Sequence, residues 1–161
     1  MNPTVYRLHQ KPKTPGEPGL PKIPVENANI ELSGLSGDHN NFRFKKKKNH
    51  PDMAIMILSM DVLNDLNAEG WPVRPGDLGE NITLKNISYD SIEPTQQYHI
   101  GSTTVEITII CDPCSTLQVL PYVQKKRLKG FMSTLMKRRG WYAKVLKTGE
   151  IHTGDPVKKI N

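Results

Sequence analysis

Cysteine is scarce in this chain: only two of its 161 residues are cysteines, Cys111 and Cys114. Both lie in Cys111-Asp112-Pro113-Cys114, so neither can close a long loop as a secreted disulfide framework does, and their role is local. Aromatic residues are also few, at 6 %. No stretch approaches the roughly 20 apolar residues that a bilayer span requires. The N-terminus lacks the charged-then-apolar layout of a secretory signal. These absences predict a cytoplasmic protein with no membrane partner. Acidic residues are outnumbered, 16 Asp+Glu against 22 Lys+Arg, for a formal charge of +6. That balance favours anionic partners by long-range attraction. It does not choose among nucleic acid, a phosphorylated cofactor and an acidic protein, and it serves plain solubility equally well.

The length predicts one domain, residues 1–161, with a core large enough to fold without staples. Residues 10–24 hold five prolines and two glycines, a composition that resists helix and central strand and predicts an extended surface loop. Val25 to Leu35 reads as extended and ends in Ser36-Gly37-Asp38-His39, a turn that aims two polar side chains together. Arg43 to Lys48 has five basic residues in six, a self-repelling run expected to lie exposed as a solvated loop. Ala54 to Leu58 suits a buried strand. Ser59 then caps a predicted helix through Glu69, with Val62, Leu63 and Leu66 on one face and Gly70 ending it. Trp71 to Asn81 reads as a structured loop that delivers Glu80 and Asn81 to a strand at Ile82–Ile87. Gln96 to Ile110 reads as a hairpin turning near Gly101-Ser102, with Val105, Ile107 and Ile109 inward. Tyr142–Leu146, Glu150–His152 and Pro156–Ile160 are three more short strands. The expected fold is therefore mainly β with a few short helices, closed or nearly closed into a barrel that hides its strand edges.

The second hairpin strand runs into Cys111. A thiol becomes a nucleophile when its thiolate is stabilised, and a helix N-terminus or nearby cations can do this. Asp112 as N-cap and Pro113 as first helical residue would put Cys114 in a short helix's first turn. Asp112 opposes a thiolate, so cationic help is required, and Lys22, Arg138 and Arg139 are the candidates. Three other readings compete. A thioredoxin-like dithiol has the same spacing but belongs on a βαβ scaffold. A structural zinc would have to recruit two of His9, His39, His50, His99 and His152, none spaced as a finger. Two inert buried thiols at the end of a core strand are the third.

Read in order, Gly37-Asp38-His39, Pro75-Gly76-Asp77-Leu78-Gly79-Glu80-Asn81, Cys111-Asp112-Pro113-Cys114, Trp141-Tyr142-Ala143-Lys144-Val145-Leu146 and Gly154-Asp155 resemble the landmarks of MOSC domains, the module at the C-terminus of molybdenum cofactor sulfurases. The resemblance spans nearly the whole chain, and Pro21-Lys22-x-Pro24 is similar to an element near the start of the small bacterial members. It implies a MOSC-type β-barrel, similar to that of pyruvate kinase, and a cysteine at position 114 that carries a persulfide or ligates molybdenum; Cys111 is the weaker ligand. The implied cofactor is the molybdenum cofactor, molybdopterin, an anionic pterin. Pyridoxal phosphate is a family association only and is not expected in this chain, which has no desulfurase domain. A cysteine desulfurase or a reductase is the implied protein partner, the latter for reduction of N-hydroxylated compounds.

In such a site Asp38 and His39 would position a proton donor beside the Cys114 sulfur. Glu80 and Asn81 would shape the cofactor pocket, and Lys22, Arg138 and Arg139 would hold its phosphate. Many members carry an arginine three residues before the cysteine, where this chain has Cys111, so anion binding must come from elsewhere. A basic nucleic-acid binding module is the alternative from another class, motivated by Lys45 to Lys48, but only Phe42 and Phe44 accompany that run and stacking platforms need more.

Overall fold

A computed structural model describes residues 1–161. The strands are β1 (Thr4–Gln10), β2 (Ile23–Val25), β3 (Asn27–Glu31), β4 (Gly34–Leu35), β5 (Ile55–Ser59), β6 (Ile82–Lys85), β7 (Gln97–Ile100), β8 (Thr103–Ile110), β9 (Trp141–Lys147), β10 (Gly149–His152) and β11 (Val157–Lys159). The helices are α1 (Asn41–Lys47), α2 (Met60–Ala68) and α3 (Gln124–Thr134), with short 3-10 turns between.

Eight strands form one sheet in the order β11-β7-β8-β9-β5-β6-β1-β2, and β10-β3-β4 form a second. All neighbours are antiparallel except β5 and β6. The long connection through α2 permits that parallel pair. The large sheet curls without closing, which corrects the expected closed barrel: β1 meets the chain before β11 only through a bridge between Thr4 and Pro156 and a few flanking backbone hydrogen bonds. The second, three-stranded sheet instead covers part of the core.

The apolar run of β5 is buried throughout, as a strand covered on both faces must be. Ile55 and Ile57 point into a 19-residue core between the two sheets, while Leu58 joins a 13-residue core with α2, α3 and the loops around them. α2 buries Val62, Leu63 and Leu66 as its spacing predicts. Its cap differs: the Ser59 hydroxyl donates to the carbonyl of Ile87 at 2.6 Å instead of capping α2. The hairpin turns at Gly101-Ser102 as expected.

Three expectations are corrected. Ile109 is 49 % exposed rather than inward, because the pairing of β8 with β9 shifts register between Ile107 and Ile110, and a bulge exchanges the faces of the residues beyond it. The basic run is not a loop but forms α1, whose Arg43 reaches back to the carbonyls of Ser33 and Ala54. Cys114 is not inside a helical turn: with φ −143° and ψ 168° it is the extended residue that precedes the 3-10 turn Ser115–Val119.

Candidate functional site

The bulge in β8 sets the two cysteines apart. Cys111 follows the last strand residue, bonds its N–H to the carbonyl of Gly140 at 2.8 Å, and is 3 % exposed among Met53, Met56 and Tyr142. Its thiol lies 3.5 Å from the Tyr142 hydroxyl. Burial pushes this thiol up, and the charge of Arg139 offsets that only in part. Asp112-Pro113 then turn the chain outward, so Cys114 is half-buried with its sulfur reachable.

Arg139 supplies the cation. Gly140 follows it at φ +139°, where a Cβ would come within 2.9 Å of Met56 Cε and 3.0 Å of the carbonyl of Ile57. The glycine therefore allows β9 to start tight against β5 while Arg139 turns under the site. Arg139 is 6 % exposed. Nε and Nη2 donate to the carbonyl of Leu78 at 3.2 and 3.1 Å, and Nη1 donates to the carbonyl of Asp112 at 2.8 Å and to Cys114 Sγ at 3.1 Å. A buried arginine is tolerated only when its donors are met and its charge is answered. Here the carbonyls of Leu78 and Asp112 and the sulfur of Cys114 meet the donors. Thr116 Oγ1 lies 2.8 Å from the same sulfur. Burial of Cys114 opposes ionisation, but Arg139, the Thr116 hydroxyl and the Thr116 backbone N–H outweigh it and hold the thiol below its ordinary range.

The loop Pro75–Asn81 joins this cluster to a second one. Leu78 offers its carbonyl to Arg139, and three residues on Asn81 points the other way. Asp38 is the centre of the second cluster: its Oδ2 accepts from Lys22 Nζ at 2.7 Å and Asn81 Nδ2 at 2.9 Å, and its Oδ1 accepts from the backbone N–H of Lys11 at 2.8 Å. The Lys22 and Asp38 side chains are 4 % and 8 % exposed. Asn81 also accepts from the N–H of Met56 at 3.0 Å, locking the loop to β5. Gly76, at φ +93°, passes so close to Lys22 and His9 that a Cβ would stand 2.7 Å from the Lys22 carbonyl and 2.8 Å from His9 Cδ2.

Two buried acid–base groups flank this loop. Glu80 accepts from the N–H of Gly76 at 2.7 Å and the hydroxyl of Thr83 at 3.1 Å, while its Oε2 has no partner. Burial pushes its carboxyl up to about 7. His9 is fully buried with both ring nitrogens unpartnered, and burial, helped by Arg7 and Lys22, pulls it down to about 4.

The structure thus joins Cys114 with Arg139, and Lys22 with Asp38 and Asn81, and sets Glu80 between them. Arg138 is turned away: its guanidinium forms a two-pronged pair with Glu69 at the end of α2, because adjacent residues leave the α3 connection on opposite sides. Lys22 has its charge answered by Asp38. His39 sits beyond this cluster, at the surface, with its Nε2 3.0 Å from Asn41 Oδ1 and its ring against Phe44. No three His, Cys, Asp or Glu side chains converge, so the four-ligand structural zinc arrangement is not formed. Thr116 and Tyr142 were not legible as site residues from the sequence, and His9 was legible only as one of five possible zinc ligands. Of the first two, Thr116 alone had a signal, a hydroxyl two positions after the thiol.

A MOSC domain model matches residues 44–158, which include Cys114, Arg139, Glu80 and Asn81 and exclude Lys22, Asp38 and His39. The chain belongs to the MOSC domain family. It is similar in fold to the YuaD protein of Bacillus subtilis, with a TM-score of 0.77 at 18 % identity over 98 % of this chain and 94 % of that one. It is also similar to YiiM of Geobacillus stearothermophilus, TM-score 0.73 at 23 % identity over 99 % and 75 %. YiiM of Escherichia coli gives 0.69 at 18 % over 100 % and 70 %. No curated protein matches the chain. No helix is long and apolar enough to cross a membrane.

Proposed function

We propose that this MOSC domain binds the molybdenum cofactor and handles sulfur, with the Cys114 thiolate as the sulfur-bearing group. The observation that carries the reading is the buried Arg139 guanidinium 3.1 Å from Cys114 Sγ. A stabilised thiolate is both a nucleophile toward sulfane sulfur and a soft ligand suited to a thiophilic metal. Cys111, buried with its thiol pushed up, supports neither role.

As a sulfur carrier, the Cys114 thiolate attacks the outer sulfur of a donor persulfide, for example that of a desulfurase. A new S–S bond forms as the donor leaves as thiolate, and Arg139 and Thr116 stabilise the negative charge on the bound sulfur. As a ligand, the same thiolate would hold molybdenum, and the bound cofactor would supply a redox metal and a phosphate-bearing pterin. Asn81, Asp38 and Lys22 form a rigid wall, since each has its polar groups already paired. The unpartnered Glu80 Oε2 beside that wall fits a site that takes up a polar group.

The test is molybdenum, pterin and cyanide-labile sulfur content of protein purified from a cofactor-competent host, against Cys114→Ser. Loss of metal or labile sulfur in the serine variant supports the reading. Equal contents in the two proteins remove it.

A further inference from the structure

The proline-rich segment and the turn after β4 enclose a cavity of about 230 Å³ with no hydrophobic residue in its lining. Its charged and polar walls are Lys11, Lys13, Glu17, His39, Asn41 and Lys45. Three lysines against one carboxylate make it a positive cavity on a protein that is positive overall. It is also held in shape. Prolines at 12, 15, 18, 21 and 24 limit what the segment can do, and Lys11 is pinned at both backbone groups, its N–H to Asp38 Oδ1 and its carbonyl to the N–H of His39.

The segment that lines the cavity continues into the residues packed around the Pro75–Asn81 loop. Gly19 lines the cavity beside Asn41, and the next residue, Leu20, packs on Gly79, where a Cβ would stand 3.1 Å from Leu20 Cδ2 and 3.9 Å from Arg139 Nη2.

We infer that this cavity is an anion subsite that takes a phosphate monoester or diphosphate group, held by Lys13 and Lys45 with Lys11 released from Glu17. This anion binding does not rest on the proposed function. Glu17 forms an ion pair with Lys11 across the cavity, so it competes with an incoming anion. Charge-assisted hydrogen bonds from lysine to phosphate supply the affinity.

The experiment is titration of the whole protein with inorganic phosphate and pyrophosphate at low ionic strength, followed by ³¹P NMR and calorimetry. Lys13→Gln and Lys45→Gln, both at exposed positions, should each weaken binding by about fivefold to tenfold. Glu17→Gln should tighten it, a change of opposite sign that general loss of charge or misfolding would not produce. Cys114→Ser should leave it unchanged. Absence of saturable binding, or equal affinity in wild type and all three cavity variants, would overturn the subsite. Retained phosphate binding with equal molybdenum and sulfur contents in wild type and Cys114→Ser would overturn the thiol reading instead and leave the subsite standing.

Discussion

At the scale of single residues, the charge of one guanidinium decides what one thiol can do. Cys114 is half-buried, and burial alone would suppress its thiolate; Arg139 reverses the sign because it is itself withheld from water and its field is poorly screened. The pH profile of Cys114 alkylation should accordingly have its midpoint below that of an ordinary thiol. Arg139→Gln should move the midpoint upward and slow alkylation several-fold at neutral pH. Arg138→Gln, which removes the pairing with Glu69 and the bonds to Thr134 but no contact with Cys114, should leave the profile in place. Coincident profiles for wild type and Arg139→Gln would show that the guanidinium does not act on the sulfur. Thr116→Val should shift the midpoint in the same upward direction, by less, since it removes one neutral donor.

At the scale of an element, the Pro75–Asn81 loop is held both by Leu78 in the 13-residue core and by hydrogen bonds to Arg139, Asp38 and Met56, and two ionisable groups at its edges load it in opposite directions. Glu80 keeps its proton to about 7 in the fold against an ordinary 4.5. Between those values the unfolded chain has lost a proton that the folded chain retains, so this group lowers stability as pH rises from 4.5 to 7. His9 loses its proton at about 4 in the fold against an ordinary 6.5. In that window the unfolded chain binds the extra proton, so this group raises stability as pH climbs from 4 to 6.5. Each effect is about 3 kcal/mol when fully developed, and over their shared window they nearly cancel. Relative to wild type, Glu80→Gln should gain melting temperature steadily between pH 4.5 and 7. His9→Gln should show its advantage at low pH and lose it by pH 6.5. Thermal midpoints of the three proteins across this range check the pair; parallel curves would mean that neither group is buried as described.

At the scale of the whole molecule, two sheets share one core. Ile30 and Ile151 of the small sheet lie in the same 19-residue cluster as Ile55, Ile57 and Val105 of the large one. The small sheet has only three strands, too little to stand alone. Ile151, fully buried, should cost about 2–5 kcal/mol when cut to alanine. Near- and far-ultraviolet circular dichroism should then shift together in one transition. A separate early transition would show that the small sheet melts on its own. The large sheet is bridged at Thr4 and Pro156 without a full ladder.

Much of this was readable along the chain, because it depends on neighbours. Alternation marked the β7–β8 hairpin, the 3.6-residue spacing marked α2, and turn chemistry at Gly76 and Gly79 marked a structured loop. Those signals are local, and they sufficed for a β-rich domain. β1 and α3 were less legible: β1 has one charged and one histidine position amid its apolar ones, and α3 buries only Phe131 in full. Which of two adjacent arginines lies beside Cys114 depended on contacts 25 residues apart. A register shift turns Cys111 inward, and the strain-free left-handed geometry of Gly140 sends Arg139 under the thiol while Arg138 faces Glu69. Sequence specified the groups available, since side-chain chemistry is intrinsic to each residue; only the packed fold decided their directions, since these are set by the distant segments against which each turn closes.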